Sequence, residues 1–245
     1  MTVTHAADPV LALGAADLRL LCKLHDREPE EPALSQLAGE EVRHWFGLKL
    51  PEDNAGPGFN LLSLALSDYG AHPQRRVAFI ENLAADYADL YLTFGKRLSP
   101  NESYWLTEDH IERQAPMFDV RGWYAHYHLE APNWRMRPDD HLVHEMEFVA
   151  ALLEDGRASA LRDAGRFLDQ HLLRWSRDFL GGVAQRASTP FYAGLALVTE
   201  AALQTIRMVL EEVTGEPRCV LASPSAEQPA MEADTAPEAG LQPSW

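Results

Sequence analysis

The stretch from Phe191 to Val213 constrains the fold most strongly. Read as a helix, it gathers Glu200, Gln204, Arg207 and Glu211 onto one narrow stripe, with Glu212 beside it near the end. The rest of its circumference is apolar, small or threonine. Burial stabilises apolar surface by about 25 cal/mol per Å², so a helix apolar on most sides belongs inside a fold. Its start is well marked. Thr189 serves as cap, and Pro190 takes the first position, where a missing N–H costs nothing. A chain of 245 residues can supply the helices needed to surround it. No uninterrupted run of about 18 apolar residues occurs, so no membrane span is expected.

A second buried helix is written into Arg137–Leu153, RPDDHLVHEMEFVAALL. Leu142, Met146, Val149 and Leu153 recur at helical spacing as an apolar stripe. Pro138 suits a first turn, and Asp139 and Asp140 place negative charge at the positive end of the helix dipole. His141 and Glu145 share a different stripe. Function is therefore expected at this acidic, histidine-bearing end.

The remaining chain also reads as helical. Residues 1 to about 8 look flexible. A first amphipathic helix follows to about Asp26 through Leu11, Leu18, Leu21 and Cys22, and a second covers roughly 33 to 47. Pro51–Gly58 has the residues of a loop, ahead of a short helix over Phe59–Tyr69. A longer helix runs from Pro73 to about Phe94 and stops at Gly95. The segment 95–110 is a loop carrying Glu102, Ser103, Tyr104 and Trp105, a polar-aromatic cluster that either binds or lids the core. Residues 108–128 read as helix with Pro116 as a break or kink. Another helix spans about 158–174 and continues to Ala187 past a weak point at Gly181-Gly182. Gly215–Trp245 is rich in Pro, Ala, Ser and Glu, has little periodicity, and is expected to be disordered. With no strand alternation, the fold class is all-α, with roughly eight to ten helices over 9–214. They form one domain or two lobes hinged near 130–137.

Charge and composition narrow the function. The formal net charge of −16 argues against nucleic acid, which needs clustered Lys and Arg, and suits a cationic partner or simple solubility. The two cysteines, Cys22 and Cys219, have no metal-ligand spacing and form no disulfide framework, which fits a reducing cytoplasm. The N-terminus lacks the basic region of a signal peptide. Metal spacings are weak. Glu41 and His44 form one ExxH where di-iron bundles use two, and His126 and His128 are two residues apart, on different helix faces. HLVHE matches neither zinc-peptidase pattern. No GxSxG or Walker loop is present. A binding protein is favoured over an enzyme. The alternative is a metal-dependent helical enzyme using His141, His144 and Glu145, with His44 or His126.

Four stretches, in order, carry a resemblance: LAADYADLYLTFG (83–95), NESYWL (101–106), RPDDHLVHEMEFVAALL (137–153) and FLDQHLLRWSRDFLGGVAQRASTPFYAGLALVTEAAL (167–203). The chain resembles the TorD/DmsD/NarJ family of cytoplasmic chaperones for molybdenum-containing oxidoreductases. The resemblance implies a non-enzymatic helical chaperone. Its partner would be the catalytic subunit of a DMSO reductase-like molybdopterin oxidoreductase, bound through a twin-arginine signal peptide or other N-terminal segment until the cofactor is inserted. A NarJ-like assembly factor acting on a mature region is the alternative. No cofactor is implied, beyond a guanine nucleotide that some relatives are thought to bind and that no residue here places. By motif position, Asp139, Asp140 and His141 form the polar end of the peptide site. Glu102, Tyr104 and Trp105 are the facing wall, and Trp123, Phe191 and Tyr192 are further candidates. One departure is Arg137, where many relatives carry an acid.

Overall fold

The computed structural model describes residues 8–221. The expected flexible start and most of the expected tail lie outside the described residues. Among the described residues the secondary structure is helical without strands. The helices are α1 (Pro9–Asp26), α2 (Glu31–Ala38), α3 (Glu52–Ala71), α4 (Arg76–Tyr87), α5 (Glu102–Leu106), α6 (Ala115–His126), α7 (Leu142–Asp155), α8 (Ala158–Phe167), α9 (Leu173–Arg186) and α10 (Pro190–Thr214). Short 3-10 turns cover Val42–Trp45 and Pro73–Arg75. Wider π turns extend α4 over Ala88–Leu92 and join α8 to α9 over Leu168–Leu172.

Helix α10 is the axis of the core, as its narrow polar stripe requires. It packs against α3, α9, α8 and α1, while α7 lies along α1. By length and composition α10 would also qualify as a membrane span, which the sequence reading did not allow for. Its partners bury 72% of that window, which makes it the centre of the fold. One hydrophobic cluster takes in residues from both sides of the 130–137 connector.

Several boundaries differ from the sequence expectation. Pro51–Gly58 is not a loop: α3 begins at Glu52 and runs through Pro57. Pro57 withholds a hydrogen bond from the carbonyl of Asp53, a residue on the exposed side of the helix. Gly58 is there for packing. A Cβ on it would come within 2.8 Å of the Gly194 carbonyl oxygen, and a Cβ on Gly194 within 2.7 Å of that of Gly58. The two glycines let α3 and α10 cross backbone to backbone. Helix α2 ends at Gly39 rather than near residue 47. Helix α6 begins at Ala115, so Pro116 starts it and does not kink it. Gly181 and Gly182 sit inside an unbroken α9. At the end of the α4 segment the left-handed residue is Phe94, not Gly95.

Buried polar side chains tie these helices together. His25 in α1 bonds Tyr91 Oη (2.7 Å) and Thr199 Oγ1 (2.8 Å), and burial pushes its pKa down to about 3. Asp86 accepts from the backbone N–H groups of Ser188 and Thr189 and from the Thr189 hydroxyl. The expected cap residue of α10 is thus itself held by a carboxylate from α4. Asp169, set on the π turn, forks onto Arg207 at 2.8 and 2.9 Å.

Candidate functional site

The signature Arg137–His141 lies beside the loop before α5. Glu102 N–H donates to the Asp140 carbonyl (2.9 Å), and Leu142 N–H to that of Pro100 (2.8 Å). Asn101 and His141 form an isolated antiparallel bridge. Helix α7 therefore starts at Leu142, later than the sequence suggests, with His141 as its cap: His141 Nδ1 accepts from Val143 N–H at 3.1 Å. Asp139 and Asp140 lie outside α7 and serve other partners. Asp140 accepts from the Ser103 N–H (2.8 Å) and the Ser103 hydroxyl, which fixes the first turn of α5. Asp139 pairs with Arg121 at 2.7 Å, and its carbonyl takes the Tyr124 hydroxyl.

Glu102 completes this knot by meeting His171 on the π turn, both carboxylate oxygens 3.1 Å from Nδ1. Glu145, one turn into α7, accepts from Trp175 Nε1 at 3.2 Å. Burial raises the pKa of both glutamates, and that of Glu145 furthest, because the carboxylates of Glu102 and Asp140 face it. The site therefore favours the protonated form of Glu145. His141 and His144 are pushed down, chiefly by burial, and stay neutral. Each uses Nδ1 locally, His144 against the Pro138 carbonyl at 2.9 Å. His44 and His126 are exposed, on the Val42–Trp45 turn and at the end of α6. Among the described residues no three His, Cys, Asp or Glu side chains are grouped to hold a metal ion.

The structure thus brings Glu102, Asp139, Asp140 and His141 together, but as a buried cross-link between α5, α7 and the π turn. Their exposures are 0%, 4%, 0% and 6%. Tyr104 and Trp105 are half-buried. Trp105 Nε1 donates to the Ser99 carbonyl, and Tyr104 stands against Phe94, itself 47% exposed. Trp123 packs edge-on against Phe167 and the knot's own His171, and lines a separate cavity of about 790 Å³ with Phe118 and His126. Phe191 and Tyr192 are fully buried and offer a peptide no face in this structure. They follow a helix cap, where exposure is usual, but here the cap leads into the central helix, beneath Tyr87 and Tyr91.

One of the open cavities lies next to the knot. A cavity of about 430 Å³ sits between α1, α7 and the connector after α6. Its apolar wall includes Leu129, Ala131, Val143, Phe148 and Ala151, and its charged rim includes Asp26, Glu130 and Glu147 together with Arg19, Lys23 and Arg137. Burial pushes the Cys22 thiol in its wall up to about 12, so this cysteine is an inert packing group. A second cavity of about 230 Å³ lies beyond Arg137, among Tyr87, Tyr91, Phe94, Met136, Pro138 and His141. Sequence reasoning missed Asp26 and Glu130. Asp26 carried a signal, because an acid at a helix C-terminus opposes the dipole unless something cationic offsets it.

Residues 52–181 match the family model of the nitrate reductase delta subunit. The chain belongs to that family, the TorD/DmsD/NarJ group. The matched span holds the 99–106 segment, the Arg137–His141 signature and both π turns, and leaves α1, α2 and α10 outside. Two curated relatives in this family bear the name chaperone protein TorD. One, from Shewanella loihica, is 28% identical over 190 residues, covering 74% of this chain and 85% of its own length. The other, from Actinobacillus succinogenes, is 27% identical over 193 residues, covering 76% and 93%.

Proposed function

We propose that this chain is a non-enzymatic, cytoplasmic, system-specific chaperone that binds the twin-arginine signal peptide, or another N-terminal segment, of a molybdenum-cofactor oxidoreductase subunit. It holds that segment while the subunit folds and receives its cofactor, before export. The cavity of about 430 Å³ beside the signature carries this reading: it pairs an apolar wall with an acid-bearing rim. A twin-arginine leader pairs a basic end with an apolar stretch. The wall takes the second as a groove takes an apolar helix face, and Glu130 meets the first, beside Asp26 and Glu147, which Arg137 and Arg19 hold in the free protein. The net charge of −16 steers the cationic end inward. Glu102, Asp139, Asp140 and His141 act by holding the rim in place, and Tyr104 and Trp105 extend the surface past Phe94.

Calorimetric titration with twin-arginine leader peptides at low and moderate salt tests this. Binding in the micromolar range to one leader, weakened by salt, is the expected result, and no binding to any leader overturns it. A second reading, assembly on a mature region of the client, is favoured by the description of the matching family as a reductase subunit. Capture of the folded client lacking its leader would select that reading.

A further inference from the structure

Arg137 stands where the two cavities meet and lines both. Its guanidinium reaches the C-terminal end of α1. Nη1 bonds the Asp26 carboxylate, and Nη2 bonds the Asp26 carbonyl at 2.9 Å. The same carbonyl accepts from Tyr87 Oη at 2.7 Å, and that hydroxyl lies 3.3 Å from the His25 carbonyl. A carboxylate and the terminal carbonyl of Asp26, held by a tyrosine, form a cradle for a planar cation at the negative end of a helix. Burial alone would raise the Asp26 carboxyl, but Arg137 and Arg27 outweigh it and hold it below the usual range.

The segment bearing Arg137 is a strap over the larger cavity. His128 and Asn133 within it take the left-handed conformation, with φ of 56° and 54°, and so mark its turns. Trp134 and Met136 are 48% and 86% exposed. The Met136 and Arg137 N–H groups bond back to Asn133 within the strap. Its polar ties to the body near this end are Arg137 on Asp26, Arg113 on the Arg135 carbonyl, and Arg121 over the Trp134 ring. Glu130, on the same rim, has no cationic partner among the described residues.

We infer that Asp26 and the end of α1 form a guanidinium subsite, that Arg137 is its internal occupant, and that an arginine of the client segment replaces Arg137 there. The exchange releases the strap and joins the two cavities, so the apolar part of the client segment can follow. The inference rests on the peptide-binding reading above and adds to it the residue that selects arginine and the contact that must be given up. A closed strap lowers apparent affinity by the fraction of molecules that are open.

Two measurements on the full chain test it. In hydrogen exchange without peptide, Arg137→Gln is expected to speed exchange across 128–137, with α7 unchanged. Unchanged exchange overturns the strap. In titrations with a synthetic twin-arginine leader, Arg137→Gln is expected to tighten binding about threefold or more. Asp26→Asn, alone or added to Arg137→Gln, weakens it, and a leader with both arginines replaced by glutamine shows no gain. If the wild-type chain binds the leader and all these variants match it within twofold, the subsite is wrong while the peptide-binding reading stands. If no leader binds either chain, both fall. Arg137→Lys, which keeps the charge without the fork, falls between wild type and Arg137→Gln if the subsite is real; a value equal to Arg137→Gln for every cation-bearing peptide counts against it.

Discussion

Glu145 is buried among carboxylates, with Oε1 lacking any hydrogen-bond partner in the protein. Its raised pKa means that the folded state keeps its proton to higher pH than the unfolded chain does. The stabilising contribution is therefore full below the ordinary glutamate range and is lost as pH rises toward the folded-state value. Glu145→Gln removes that cost. We expect it to stabilise the chain by about 1 kcal/mol at pH 7, or about 3 °C in melting temperature. The advantage should shrink as pH falls toward 5, and an equal advantage at both pH values would contradict the buried proton. His25 works in the opposite sense. Its folded-state pKa is about 3, so stability is present above the ordinary histidine range and drains away as pH falls from there toward 3. Denaturant titration should show His25→Gln less stable at pH 7. Between pH 6 and 5 its loss with falling pH should be smaller than that of wild type by about 1.4 kcal/mol per unit.

Helices α3 and α10 meet at Gly58 and Gly194, where punctuation residues act as packing residues. Gly58→Ala drives a methyl against the Gly194 carbonyl and Val198 Cγ2, both 2.8 Å away. A cost of about 2 kcal/mol is expected, or about 6 °C in melting temperature. Gly181→Ala, in α9, meets nothing within 4 Å and should stabilise by about 0.5–1 kcal/mol through helix propensity. Matching effects at the two positions would show that propensity and not the crossing governs α3. The same ambiguity explains the boundary errors around Pro57 and Pro116. Gly and Pro signal a break only where no neighbouring helix uses the missing side chain or N–H, and that is a property of the partner. The π turn over Leu168–Leu172 was likewise invisible in composition, although it aims Asp169 at Arg207 and His171 at Glu102.

At the scale of the whole chain, packed contacts continue beyond the expected residue 214. Gly215 closes α10 with φ of 72°. Glu216 lies 3.1 Å from Arg166, and Cys219 N–H donates to Asp169 at 2.8 Å. The chain cut after Thr214 should therefore melt about 3–6 °C below the chain cut after Leu221. Calorimetric melts of the two shortened chains distinguish them, and equal melts would mean that 215–221 adds nothing to stability.

Periodicity identified the all-helical class, the central position of the last helix and the helical identity of most segments. These follow from spacing along one chain, since a stripe of apolar side chains is a local property that any partner surface must satisfy. The four motifs in order placed the chain in its family, and they marked Glu102, Asp139, Asp140 and His141 as belonging together. Packing decided what those residues do. They lie within reach of Ser103, Arg121 and His171, so they close a buried knot, and the open surface passes to the cavity beside it. Asp26 and Arg137 are more than a hundred positions apart. Their pairing depends on how α1 lies along α7, which no local pattern encodes.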